Sequence, residues 1–360
     1  VEAPDATTVK ITLKNANPNL AFEMGESTAV IVGPESAAGN ETNPVGTGPY
    51  KVSKWVRGDS VTLVKQDHYR DAGSIKLSKV TFKFMSDPSA QMAALRAGDI
   101  DFFPYFGSPE SVDQFKADKD FEVLEGTTEG EVILSTNNKS PIMSDVRVRQ
   151  AVAYAIDRQA IVDGAMFGFG TPIGSHMAPH NPAYVDLTGA FAYNPAKAKA
   201  LLKEAGHGNG VTVSLKLPPP AYARRGGEII AAQLAKVGIT AKIEPVEWAQ
   251  WLDQVYKKRN YDLSIVMHVE PNDIGKYADP KYYFQYDSKE FQDIIKIADT
   301  TLDPAERKAA LQAAQRKISA DAVNGFLFQG SKITVMRKGL QGVWANSPMF
   351  VNDLAAMSWK

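Results

Sequence analysis

Side chains of opposite charge occur at two places in the middle of the chain. Arg224 and Arg225 form one group, and Glu270 and Asp273 form the other. A guanidinium binds carboxylate or phosphate groups through a planar fork of N–H donors, whereas a carboxylate binds an ammonium group or sugar hydroxyls. Together the two groups predict a site for a zwitterionic or polar solute. The alternatives are a solvated arginine pair at a helix start, and carboxylates that cap a turn or pair with Lys276.

The surrounding sequence predicts three strands that alternate with two helices. The strands are predicted over residues 211–217, 239–245 and 261–267, and the helices over residues 225–237 and 247–258. Right-handed crossovers make such strands parallel, and ligands bind outside the carboxyl ends of parallel strands. The arginines follow the first strand and the carboxylates follow the third, so both groups are expected at one edge of the sheet.

Other polar and aromatic side chains near predicted strand ends complete the candidate binding site. They are Met267 and His268 beside the carboxylates, Trp248 after the second strand, Asn137 and Asn138 after a strand over residues 131–136, and Phe103, Tyr105 and Phe106 in an aromatic loop. Trp248 and Trp251 are three residues apart on one predicted helix, so one is expected in the core while Trp248 is expected to stack on ligand. The aromatic loop is predicted either to face the ligand or to pack in the core.

Histidine chemistry is only weakly indicated. His268 is a candidate metal ligand or general base, but a lone histidine at a strand end is more often a hydrogen-bonded core residue. His176 and His180 are four residues apart, yet Pro179 prevents the helix that this ligand spacing requires. No metal ion, cofactor or catalytic residue is therefore predicted. The alternative is a hydrolase that uses His268 with the two carboxylates.

Length and composition limit the classes of protein. At 360 residues the chain exceeds one ordinary core, so two lobes are expected. The 40 basic and 41 acidic residues nearly cancel, which argues against a nucleic-acid partner. No cysteine occurs, so disulfides and thiolate sites are excluded. No apolar run reaches the roughly 20 residues of a membrane helix, and a small-molecule or protein partner is left.

Glycines and prolines over residues 168–182 predict a crossing between two lobes, with a boundary near residue 172. The short predicted strands near the C-terminus could return the chain to the first lobe. The predicted organisation is lobe I over residues 1–172, lobe II over residues 173–330 and a return to lobe I over residues 331–360. Such a chain crosses twice and has the topology of a hinged α/β clamp.

Four motifs occur in order along nearly the whole chain, namely residues 43–50 (NPVGTGPY), 144–158 (SDVRVRQAVAYAIDR), 193–206 (YNPAKAKALLKEAG) and 246–248 (VEW). In these motifs the chain resembles the dipeptide/oligopeptide-type (family 5) periplasmic solute-binding proteins of ABC importers. The resemblance implies a two-lobe, type II clamp that binds solute without chemistry. It also implies a periplasmic location, a monomer, ABC permease subunits as membrane partners, and a lobe I that is incomplete at its N-terminus.

The resemblance further implies roles for particular residues. Residues 223–225 (ARR) fall where dipeptide-binding members have an arginine that holds the peptide carboxylate, and Glu270 falls where they have an aspartate that binds the peptide amine. The usual Trp-x-x-Asp pattern is replaced by residues 267–270 (MHVE), so the charge stands on a longer side chain and the indole is lost. The expected solute is peptide-like, or an opine or sugar conjugate.

Overall fold

The structure is a computed structural model that describes residues 1–26, 29–271, 273–348 and 351–360. Within these residues the strands are β1 (Glu2–Asp5), β2 (Thr8–Lys10), β3 (Tyr50–Val56), β4 (Ser60–Lys65), β5 (Lys79–Lys83), β6 (Phe102–Phe103), β7 (Phe121–Thr136), β8 (Gly170–Pro172), β9 (Val211–Leu217), β10 (Ile239–Pro245), β11 (Leu263–His268), β12 (Gly325–Arg337), β13 (Leu340–Gln341) and β14 (Ser358–Trp359). The helices are α1 (Leu20–Glu23), α2 (Pro34–Ala37), α3 (Pro88–Ala97), α4 (Val112–Lys116), α5 (Val146–Ala155), α6 (Arg158–Met166), α7 (Pro195–Glu204), α8 (Ala221–Ala235), α9 (Trp248–Trp251), α10 (Lys289–Thr300) and α11 (Pro304–Ala320).

The chain forms two compact units. Unit 1 comprises Val1–Ala29 and Glu129–Gln329, and unit 2 comprises Val30–Thr128 and Gly330–Lys360. The long strands β7 and β12 therefore each contribute residues to both units. β12 is continuous where the sequence predicts two short strands.

The predicted boundary near residue 172 differs from this division. Residues 129–172 belong to unit 1 together with the chain that follows them. The reason is that Leu134 of β7 and Val148 of α5 are buried in the same apolar cluster as Leu215 of β9. A glycine-rich and proline-rich loop thus marks a turn inside unit 1.

Unit 1 is built on a sheet with the strand order β10-β9-β11-β7-β12, and β8 pairs with β12. Both β10 and β11 pair in parallel with β9, which confirms the three predicted parallel strands. β7 runs antiparallel to β11, with Thr136 opposite Leu263 and Glu131 opposite His268. β7 consequently ends at the edge of the sheet where β11 begins.

The two faces of this sheet bury separate apolar cores. Val132 and Leu134 of β7 belong to the core formed with α5, α6, α7 and α8. Ile133, between them, belongs to a second core formed with α10 and α11, because successive strand side chains point to opposite faces. β11 likewise sends Ile265 to the first core and Val266 to the second. It is therefore buried on both faces, as its nearly uninterrupted apolar sequence predicted.

The helix after β10 departs from the prediction of one α-helix over residues 247–258. α9 ends at Trp251, and a π-helix continues over Leu252–Lys257. Trp251 and Val255 are both buried in the second core. The apolar face of the segment is thus kept although its hydrogen-bond pattern changes.

Unit 2 contains a three-stranded antiparallel sheet with the order β3-β4-β5. In the same unit β6 pairs with the last residues of β12, and β13 pairs with β14. Phe115 of α4 is fully buried and contacts Phe106 and Phe121 through T-shaped ring pairs at 5.4 and 5.2 Å. These aromatic contacts form an apolar cluster within unit 2.

Candidate functional site

The carboxyl ends of β9 and β11 each lead to one of the predicted charged groups. α8 follows β9 and carries Arg225 in its first turns, and residues 269–273 follow β11. The backbone N–H of Met267 donates to the Tyr222 hydroxyl at 3.3 Å, so the first turn of α8 touches the end of β11. Arg225 and Glu270 therefore belong to segments that leave the same edge of the unit 1 sheet.

The two neighbouring arginines have different surroundings. Arg224 donates from Nε to the Pro218 carbonyl at 3.1 Å and from Nη2 to the Val246 carbonyl at 3.2 Å. These carbonyls lie just past β9 and β10, so Arg224 connects two strand ends, and its contact with a solute stays a prediction. Arg225 is partly buried, with its Cζ atom 5.7 Å from the centre of the Phe167 ring. That cation–π contact helps to orient its guanidinium.

Trp248 is the exposed member of the tryptophan pair. It is 42% exposed, and its ring makes a T-shaped contact with the Trp251 ring at 5.8 Å. Trp251 is buried and donates from Nε1 to the Ser264 hydroxyl at 2.9 Å. The prediction that one tryptophan is a core residue is confirmed. Met267 packs partly buried against the first core, so it is apolar support for this edge.

The two predicted carboxylates differ in exposure. Glu270 is exposed, and its Oε2 atom accepts from the backbone N–H of Val269 at 3.3 Å. Asp273 is buried at the start of a 3₁₀ helix, Asp273–Ala278. His268 is also buried and is the last residue of β11, whereas the sequence placed it beyond the strand. Glu270 is thus the carboxylate of this loop that solvent reaches.

Asp273 joins two histidines into one buried cluster. Its Oδ1 atom lies 2.6 Å from His176 Nε2, and its Oδ2 atom lies 2.6 Å from His268 Nδ1. The other ring nitrogens contact tyrosine hydroxyls, with His176 Nδ1 at 3.1 Å from Tyr277 and His268 Nε2 at 2.7 Å from Tyr283. Every imidazole nitrogen in this His–Asp–His cluster therefore has a hydrogen-bond partner.

Burial and neighbouring charged groups together shift the pKa of two carboxyl groups here. Burial alone would raise the pKa of Asp273, but His176 and His268 attract its charge, donate to it and hold it below its ordinary value. Burial raises the pKa of Glu131 well above its ordinary value, and the negative charges of Asp273 and Glu129 add to this effect. Two carboxyl groups of unequal acidity thus lie at this end of β11.

The sequence did not indicate His176 or Glu131 as neighbours of Asp273. His176 is 97 residues before Asp273 and reaches it only through tertiary packing. The local spacing between His176 and His180 carried no information about that contact. A usable signal existed for Glu131, because the period of two in β7 places it on the same face as Ile133.

The predicted asparagine pair, residues 137–138, lies at the opposite edge of the sheet. The backbone N–H of Asn137 donates at 3.0 Å to the carbonyl of Asp262, which precedes β11. The structure therefore does not bring this pair to Glu270, because β7 runs antiparallel to β11. The Asn138 side-chain amide is used within the protein, donating from Nδ2 to the carbonyls of Thr136, Phe284 and Val323 at 3.0–3.1 Å.

Replacement of Asn137 by alanine is expected to lower stability and leave solute affinity unchanged. Its Nδ2 donates to the carbonyls of Arg259 at 2.9 Å and Tyr261 at 3.1 Å, and its Oδ1 accepts from the Lys139 N–H at 3.1 Å. Unpaired groups at this buried position cost about 1–2 kcal/mol. Urea unfolding measures the change, with the exposed Asn260→Ala as a matched control. An unchanged free energy of unfolding would contradict this structural role.

The three predicted aromatic residues of the candidate site lie in unit 2. Phe106 is buried against Phe115, so it is a core residue. Tyr105 donates its hydroxyl to the Pro348 carbonyl at 2.8 Å, and Phe103 is part of β6. Phe103 and Tyr105 are partly exposed, and their contact with a solute stays a prediction.

Comparison with known sequences identifies a family. The profile of the bacterial extracellular solute-binding proteins, family 5 Middle, matches residues 1–293. The chain is 28% identical over 367 residues to the glutathione-binding protein GsiB of Shigella dysenteriae serotype 1 and to that of Escherichia coli (strain K12). Each alignment covers 95% of this chain and 71% of the relative.

Solved structures share the fold. The periplasmic binding protein DppA of Helicobacter pylori, in complex with the peptide STSA, superposes with a TM-score of 0.90 at 23% identity, covering 99% of this chain and 73% of that chain. The binding protein AgaA of A. tumefaciens R10, in complex with agropinic acid, superposes with a TM-score of 0.86 at 26% identity, covering 100% and 77%. The predicted α/β fold class of the type II periplasmic binding proteins is confirmed.

A helix that crosses a membrane must be both long and apolar. Of the helices in the described residues, not one combines the necessary length with sufficient apolar character.

Family 5 proteins bind peptides or opine-like ligands for import by ABC transporters. With the family profile matching residues 1–293, the chain belongs to the bacterial extracellular solute-binding proteins, family 5.

Proposed function

We propose that this solute-binding protein captures a small zwitterionic or polar solute at the carboxyl edge of the unit 1 sheet. The observation that carries the location is the contact between Met267 and Tyr222, because it joins the segments that bear Arg225 and Glu270. Arg225 would hold an anionic group of the solute through its planar fork of donors. Glu270 would bind a cationic group, and the exposed indole of Trp248 would stack on an apolar or planar part.

The solute class is proposed from the same charges and from the named relatives. Glutathione is the ligand in the name of a relative 28% identical to this chain, and agropinic acid is bound in a structure 26% identical. A peptide-like molecule or an opine or sugar conjugate therefore fits the pair of charged arms. These two compounds and the peptide STSA are suitable first probes.

Binding without catalysis is the second part of the proposal. A hydrolase would need His268 as a base with an available ring nitrogen, but its two nitrogens contact Asp273 and Tyr283. Asp273 is in turn shared with His176. Mass spectrometry of each probe after incubation with the protein is expected to show the probe unchanged. Accumulation of a product would favour the hydrolase instead.

The proposed location and partners follow from the family. The DppA relative is a periplasmic binding protein of an ABC transporter, and we propose the same compartment for this chain. The proposed partners are the permease subunits of an ABC importer, with the protein acting as a monomer. Light scattering of the purified protein with and without solute tests the monomer, since a dimer under both conditions would contradict it.

Charge-removing substitutions at the two arms are expected to weaken solute binding. Calorimetric titration of the wild type with glutathione, agropinic acid and STSA selects the tightest probe. For that probe, Arg225→Met and Glu270→Gln are each expected to raise Kd about 10–100-fold, because a hydrogen bond to a charged group contributes about 1.5–3 kcal/mol. The exposed Lys236→Met, just past α8, and Glu228→Gln, within it, are matched controls that should keep the wild-type Kd.

The possible outcomes distinguish a failure of the two-arm site from a failure of the receptor role. Wild-type affinity in both Arg225→Met and Glu270→Gln would contradict the two-arm site and leave the receptor role intact. If none of the three probes binds, mass spectrometry of solute released from the purified protein replaces them. A released solute without charged groups would contradict the proposed solute class.

A further inference from the structure

We propose that His176, His268 and Asp273 of the His–Asp–His cluster bind one divalent transition-metal ion of the zinc class within unit 1. The three side chains offer ligand atoms that all lie within 4.8 Å of one another. This site is separate from the proposed solute site, and it was not predicted from the sequence because the contact of His176 with Asp273 is tertiary.

The donor set suits such an ion. Two neutral imidazoles and one carboxylate are typical ligands of zinc and neighbouring metals, at about 2.0–2.2 Å from the ion. In the metal-free arrangement, each nitrogen facing Asp273 is 2.6 Å from a carboxylate oxygen. An ion would take the place of the two N–H hydrogens there, and each ring would carry its proton on the other nitrogen, which faces a tyrosine hydroxyl. The nitrogen–oxygen separations would then open to about 3.4 Å, the spacing of tetrahedral ligands, which requires side-chain shifts of under about 1 Å.

Both rings already have a hydrogen-bond partner on the side that faces away from Asp273. His176 Nδ1 is 3.1 Å from the Tyr277 hydroxyl, and His268 Nε2 is 2.7 Å from the Tyr283 hydroxyl. Asn324 holds Tyr277 in place by donating to its hydroxyl at 2.9 Å. Such second contacts fix the tautomer and orientation of a ligating imidazole. Because a hydroxyl both donates and accepts, each tyrosine can serve the ring before and after the ion binds.

The charge of the surroundings also favours a divalent ion. Asp273 supplies one buried carboxylate, and Glu131, itself buried, stands opposite His268 in the β7–β11 ladder. The buried charge of Asp273 attracts a doubly charged cation strongly in this low-dielectric interior.

Burial indicates the type of site. The side chains of His176, His268 and Asp273 are 1%, 7% and 6% exposed. A closed site of this kind resembles structural metal sites, whereas catalytic sites keep a position open to solvent. The ion would tie the loop after β8 to the loop after β11, and so would stabilise the segment that carries Glu270. Binding and release are expected to be slow, since the loops must open first.

The test uses the full chain without added histidines, stripped with a chelator. Co²⁺ serves as the spectroscopic probe, and Zn²⁺ serves as the competitor. The wild type and the exposed-histidine control His68→Asn are expected to bind one Co²⁺ per chain with visible absorption bands that Zn²⁺ removes. His176→Asn is expected to bind Co²⁺ at least about 10-fold more weakly, as loss of one ligand or its support does in metal sites. Equal binding by all three chains, or none by the wild type, would overturn the proposal.

A second measurement does not depend on the folding of a variant. Imidazole nitrogen resonances of the wild type are followed by NMR as Zn²⁺ is added to the stripped protein. Two of the five histidines are expected to shift in slow exchange, namely His176 and His268. Shifts confined to His68, His180 or His207 would show adventitious surface binding and would overturn the assignment.

Discussion

Gly174→Ala is expected to lower the free energy of unfolding by about 3–5 kcal/mol, the largest single effect that we predict. A Cβ atom at position 174 would lie 2.0 Å from the carbonyl carbon of Leu187 and 2.4 Å from the backbone nitrogen of Thr188. These are backbone atoms, so no side-chain rotation relieves the overlap. The loop that holds His176 must therefore move, and urea unfolding of the purified variant measures the cost.

Gly189→Ala is the matched control for that substitution. It makes the same chemical change in the same loop region, but the space around a Cβ at position 189 is open. Its free energy of unfolding is expected within about 0.5 kcal/mol of the wild type. Equal stability of the Gly174→Ala and Gly189→Ala variants would show that the close approach at Leu187 is not a constraint in solution.

Asp273→Asn is expected to lower the stability of the metal-free protein by about 2–4 kcal/mol. The carboxylate accepts from His176 and His268 through different oxygens. An asparagine of the same size keeps one oxygen and presents an NH₂ group where the second histidine needs an acceptor. Both the charge and one buried hydrogen bond are lost. Urea unfolding in the presence of a chelator measures this effect without a contribution from bound metal.

Glu270→Gln is the control for Asp273→Asn, since it removes a carboxylate from the same loop at an exposed position. A change of less than about 0.5 kcal/mol is expected for it. If the two variants unfold at the same urea concentration, the His–Asp–His cluster contributes little to stability. The same two variants also distinguish two roles of this loop. Glu270→Gln is expected to weaken solute binding, whereas Asp273→Asn is expected to lower stability.

The sequence by itself determined the parts of unit 1 that depend on local pattern. Alternating apolar and polar residues indicate β9 and β10, a nearly uninterrupted apolar run indicates β11, and the helix between β9 and β10 follows an apolar period near 3.6. Parallel pairing then followed from the right-handed crossover. The sequence therefore predicts Arg225 and Glu270 at one edge of the sheet and distinguishes Trp251 from Trp248. The family resemblance likewise rested on ordered motifs.

Only the tertiary structure decided which distant segments meet. The direction of β7 relative to β11 is not written in the alternation of its side chains, and its antiparallel pairing moves residues 137–138 to the opposite edge. The contact of His176 with Asp273 spans 97 residues and has no periodic signal. The unit boundary within β7 depends on which core buries each residue. Local patterns specify strands and helices, whereas pairing direction and side-chain clusters depend on the free energy of burying whole faces against one another.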